Sequence, residues 1–193
     1  ASIVAIPMFF GAVAMPELLV VTAFGSEYAD AAALLVGLAL FQIVSTQSGP
    51  LTSAIGGIDR PDVNTWISST TLALNIVLGV ALTLAYGAIG VVIATVVAET
   101  LRYLLSAYVV SRELPAVELV PRTLLEQVAA AVLMFVLVRP LIDIVTVDRW
   151  YQLLAVVAFG AAVYSVALFA ISRKLRVTIE GVVRESRLEI SSN

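Results

Sequence analysis

The chain has 193 residues, 61% hydrophobic and 13% charged, with a mean hydropathy of +1.04; soluble domains average about 45–50% apolar and about 25% charged residues, so a soluble globule is excluded. The absence of His and Cys removes disulfides, thiolate and imidazole metal sites, Cys nucleophiles and His general bases, so no metal, no cofactor and no enzyme is expected. The formal charge is −3, and the Arg-dominated cations stand at the ends of apolar stretches instead of forming a basic patch, which argues against a nucleic-acid partner.

The fold class expected is an all-α, polytopic transmembrane bundle of six spans. Hydropathy places them at Ile3–Phe24, Ala31 to about Ile55, Trp66–Tyr86, Ile89–Val110, Leu124–Ile144 and Tyr151–Ser172, each long enough to cross a bilayer. Their continuously apolar character favours helices over barrel strands, which alternate with period two. The first run is already hydrophobic at Ile3 and lacks the basic n-region and cleavage site of a signal peptide. It therefore reads as a true span from within a longer protein.

Within that first span Glu17 follows Pro16, about 10 Å from the outer end at 1.5 Å per residue. A desolvated carboxylate there suits proton or cation coupling, unless the proline breaks the helix and lets Glu17 reach water. The second span carries Gln42 and Gln47 and ends in STQSGPLTSAIGG (45–57), a stretch of small and hydroxylated residues that predicts a bend or a lining for a protein-facing surface. Asn75 lies near mid-depth of the third span. Interhelical hydrogen bonds and a polar transport path both account for Gln42, Gln47 and Asn75.

The fourth span holds Gly90, Ala94 and Ala98 in steps of four, a stripe that predicts close helix packing. It also holds Glu99 and Arg102, at i and i+3 on one face, positioned to neutralise each other. Arg102 lies about 20 Å along the span from Ile89, and its guanidinium suits an anionic headgroup or phosphate in a cavity. The same residue also serves a structural role if it only pairs with Glu99 or snorkels to the interface.

The connections alternate in charge: 25–31 and 86–90 carry no Lys or Arg, whereas 57–65 carries Arg60 and 111–122 carries Arg112 and Arg122. With Arg173, Lys174, Arg176, Arg184 and Arg187 in the tail, eight basic residues fall on one side, against Arg139 and Arg149 on the other. By the positive-inside rule both ends of the segment are cytoplasmic. Trp66, Trp150 and Tyr151 take the places of interfacial anchors. The implied organisation is four transmembrane helices over 1–110, a cytoplasmic linker over 111–123, an appended helix pair over 124–172, and a cytoplasmic tail over 173–193. Leu175, Ile179, Val182 and Val183 give that tail the spacing of an interfacial helix, a spacing that a solvated tail also reaches by chance.

Two motifs extend this reading. One is FG-x-x-Y followed by a small-residue helix start, Phe24, Gly25, Tyr28, Ala29 and Ala31; the other is YG-x-x-G-x-x-x-A-T, Tyr86, Gly87, Gly90, Ala94 and Thr95. With the segments 16–44 and 85–113 around them, they resemble the C-terminal region of prokaryotic polysaccharide-biosynthesis membrane proteins. These are oligosaccharide flippases of the multidrug/oligosaccharidyl-lipid/polysaccharide exporter superfamily, related to the MATE drug exporters. The resemblance covers about residues 1–113, and Val91 and Val92 depart from the Ala-Ala that many members carry. It implies the last six helices of a roughly fourteen-helix transporter in the plasma membrane of a prokaryote, working by alternating access with an N-terminal lobe outside this segment. The implied partners are membrane lipid and a lipid-linked glycan, with Arg102 the first candidate for its phosphate. A cation-coupled drug antiporter of the same superfamily would instead depend on Glu17. A scaffold subunit of glycan assembly would need neither for transport.

Overall fold

In the computed structural model, which describes residues 2–114, 122–144 and 149–172, the regular elements are all helices. They are α1 (Ser2–Ala14), α2 (Pro16–Phe24), a 3₁₀ segment (Ser26–Ala31), α3 (Ala32–Gly57), α4 (Pro61–Tyr86), α5 (Ala88–Glu113), α6 (Arg122–Ile144) and α7 (Trp150–Ile171). Five stretches, Ser26–Gly57 and α4 to α7, are long and apolar enough to cross a membrane singly. The interior of the expected linker and the whole tail, with its proposed interfacial helix, lie outside the described residues.

The expected first span is broken. α1 and α2 meet at an angle of 90°, so together they form a sixth, bent span or a re-entrant element instead of one straight helix. The interruption of the helix has a local cause: Pro16 has no N–H, and its ring drives the preceding residue out of the helical region. Met15 accordingly sits at φ −144°, ψ 53°.

The other boundaries follow from similar chemistry. Pro61 opens α4, where a missing N–H costs nothing. The two glycines of the sequence motifs end α2 and α4 with positive φ, +107° at Gly25 and +64° at Gly87, values that a residue with Cβ adopts only under strain. Gly87 is also the whole connection between α4 and α5, so the two helices fold back on each other at once. The expected bend at 45–57 is not a break, because α3 continues through Pro50 to Gly57.

α5 lies between α3 and α4. It runs antiparallel to α4, with Gly90 against Leu82 near the connection and Arg102 bonded to Thr71 further along. It runs beside α3 in the same direction, with Gly37 against Val92 at one end and Ile55 and Val110 in one apolar cluster at the other. Gly90, Ala94 and Ala98 are all buried, as the small-residue stripe predicts. A second apolar cluster joins Ile6, Ala14 and Met15 to Ala130, Met134 and Val138 of α6 and Val156, Tyr164 and Leu168 of α7, with Ile43 of α3 packed against it. The opposite faces leave large apolar side chains open, Leu84 at 85% and Val166 at 70% exposure among them, a surface suited to lipid.

A Cβ at residue 90 collides with the backbone of Leu82 and Thr83, which has no rotamer with which to yield, whereas one at Gly79 meets nothing. Gly90→Ala is therefore expected to destabilise the fold by about 1–3 kcal/mol. Gly79→Ala should stay within about 0.5 kcal/mol of wild type. Thermal unfolding in detergent checks the pair.

Candidate functional site: the α4–α5 seam

Small and polar residues along α4 recur in steps of four: Thr71, Asn75, Gly79 and Thr83. Such spacing aligns them on one helical face. On α5, Thr95 is four residues before Glu99 and seven before Arg102, so these three share a side as well. The short Gly87 connection brings the two faces together. At the end nearer that connection they form an open groove of about 500 Å³ lined by Asn75, Gly79, Thr83, Val91 and Thr95 together with Ile76, Val80 and Leu84.

Further along the seam stands the charged group. Glu99 is buried, and its Oε2 lies 3.7 Å from Nε of Arg102. At that separation the two are an ion pair but not a hydrogen-bonded one, and Nε has no hydrogen-bond partner. Another guanidinium nitrogen donates to Oγ1 of Thr71 at 3.4 Å, while that hydroxyl donates to the carbonyl of Ile67 at 2.9 Å. The Arg102 side chain remains 37% exposed, against 10% for Glu99. The site therefore presents a cation whose counter-charge is recessed and whose donors are incompletely used, an arrangement suited to accepting an anion.

The sequence candidates thus divide. Glu99 and Arg102 pair in the seam, and Asn75 lines its groove nearer the Gly87 connection. Gln42 does not: it lines a separate, largely apolar, partly open cavity of about 970 Å³ bordered by α1, α2, α3, α6 and α7. Gln47 lies one turn after Ile43, on the stripe that packs toward the α1, α6 and α7 core, and its buried Nε2 has no hydrogen-bond partner. Glu17 stands exposed in the first turn of α2, a helix whose main neighbours are the 3₁₀ segment, α3 and α7, not the helices of the seam. Of the two outcomes open at that position, the helix is broken.

Thr71 is the site residue that the sequence reading missed. The signal was present in the four-residue steps from Thr71 to Thr83, but threonine scores as neutral in hydropathy and draws no notice beside Asn75. Arg139 is a second surprise. The sequence reading counts it only as a basic residue at the outer end of the fifth span, yet from its place in α6 it donates to the carbonyl of Ala14 at 2.7 Å.

These features can be set beside known proteins. The chain is 27% identical over 166 residues to the Probable flippase AglR of Haloferax volcanii, a match covering 83% of this chain and 34% of that protein. The chain thus spans about a third of the relative's length. No family profile and no solved structure matches it. Together, the apolar helices and this similarity support a multi-pass membrane protein.

Removing Arg102 strands the recessed carboxylate of Glu99, so Arg102→Ala should destabilise more than the same change made in a Glu99→Gln background. A double-mutant cycle by thermal unfolding is expected to return a coupling of about 0.5–3 kcal/mol.

Proposed function

We propose that the chain is part of an integral-membrane exporter that flips lipid-linked oligosaccharide or polysaccharide precursors across the plasma membrane of a prokaryote. The observation that carries this reading is the similarity to a probable flippase along 83% of the chain, because it spans both polar and apolar elements instead of a single hydrophobic helix. In this reading the α4–α5 seam faces the translocation path, and a further lobe supplied from outside these residues closes the other side. Alternating access then moves the glycan head through the protein while its lipid tail stays in the bilayer. The protein forms and breaks no covalent bond.

The seam suits such a head group. Arg102 offers charge and a forked donor geometry to a phosphate or pyrophosphate, and Glu99 holds the guanidinium without covering it. Asn75 supplies both an amide donor and an acceptor for sugar hydroxyls. Glu17, at the start of α2, has no place in this scheme. The antiporter alternative, which rests on that carboxylate, gains no support from its exposed position. Both ends of the segment face the cytoplasm in this proposal, in keeping with the basic residues at 60, 112 and 122 and in the tail.

Deleting the parent gene should cause lipid-linked oligosaccharide to accumulate on the cytoplasmic leaflet. Complementation by wild type and by Glu17→Gln should relieve it. Arg102→Ala, expressed at wild-type level, should leave less than about a tenth of the flux, in line with losing one charge-assisted contact of about 1.5–3 kcal/mol. A deletion strain without accumulation contradicts the proposal.

A further inference from the structure

The α1–α2 joint poses a problem that its own backbone does not solve. On either side of it the backbone bonds run from Met15 N–H to Gly11 and from Leu19 N–H to Met15, so the Ala14 carbonyl lies between two ladders. Pro16 contributes no N–H to either. Ala14 is 0% exposed, so water does not supply the missing donor. A helix end also carries partial negative charge on its last carbonyls, and a carbonyl left unpaired in an apolar setting is unfavourable. The donor comes from another part of the molecule, 125 residues away in sequence: Arg139, near the far end of α6. Its guanidinium is charged, long and forked, and reaches a carbonyl that neutral side chains of α6 are too short or too apolar to serve.

We propose that Arg139 is a strap that holds the α1–α2 joint at its right-angled setting, so that α6 determines the shape of the first span. Proline removes an N–H at the joint but does not itself fix the angle between the two helices. The cation decides the angle at which the broken ends rest, because the 2.7 Å bond is available only while the Ala14 carbonyl faces α6. A displacement of the α6–α7 pair relative to α1 is then felt as a change of bend. This inference stands apart from the identity of any transported molecule.

The 193 residues contain no cysteine, so a pair introduced at the exposed positions Val4 and Phe24 can be spin-labelled without background from them. At 1.5 Å per residue the two Cα atoms lie about 21 Å apart across a right angle and about 30 Å apart across a straight helix. The reconstituted protein bearing V4C and F24C should give a narrow distribution near the shorter value. Arg139→Met should broaden it toward the longer one, and Arg139→Lys, which keeps a cationic donor, should not. Pro16→Ala should also remain near the shorter distance, because the strap is intact. An unchanged distribution in folded Arg139→Met overturns the proposal. So does straightening in Pro16→Ala, since the strap would then be present without holding the angle, and this arm decides the matter even where Arg139→Met does not fold.

Discussion

Hydrocarbon offers the backbone no hydrogen-bond partner, and the arrangement of this chain follows from that constraint. Long helices satisfy it internally, which is why α3 to α7 run for 22 residues or more. The same constraint explains how the hydroxyls behave. Thr46, Ser48 and Thr52 each donate to the carbonyl four residues back, so a stretch that looks polar in sequence stays inside a single helix. At the α1–α2 joint, where the ladder leaves the Ala14 carbonyl without a backbone donor, a charged side chain crosses from another helix to serve it.

Packing without a hydrophobic driving force between helices relies on close approach, and α5 is built for it. Gly90 allows contact with α4 near the Gly87 turn, and Ala94 and Ala98 are buried further along the same helix. At the opposite end, Arg60 pairs with Glu113 at 3.4 Å, across two side chains that are each about half exposed. That pair adds little stability in such a setting, so the register of α4 on α5 rests on the small-residue contact. The seam inherits its geometry from that contact.

Much of this was legible in the sequence, for reasons that can be named. Five span boundaries came through within a few residues because the hydropathy contrast between apolar runs and charged connections is large. The packing stripe was legible because glycine and alanine at steps of four carry a steric meaning that does not depend on neighbours. The Glu99–Arg102 pair was legible because its partners are three residues apart. What escaped depends on residues far apart in the chain. Nothing near Arg139 announces that its partner is Ala14, and hydropathy averages across a right-angled break as readily as across a straight helix. Asn75, Gln42 and Gln47 looked equivalent as isolated amides, and only the arrangement of α1, α3, α4 and α7 assigns them to different surroundings.

The threonines of the seam carry one more consequence. Thr83 donates its hydroxyl hydrogen to the Gly79 carbonyl and Thr95 donates to the Val91 carbonyl at 2.9 Å, so each turns only lone pairs outward. A hydroxylated molecule passing along this surface would meet acceptors that take its hydrogens without demanding its own lone pairs in return. Attraction of that kind is shallow and nearly the same from one turn to the next. On the proposed reading the threonine wall would hold such a molecule only weakly, and the donors of the seam would be those of Asn75 and Arg102.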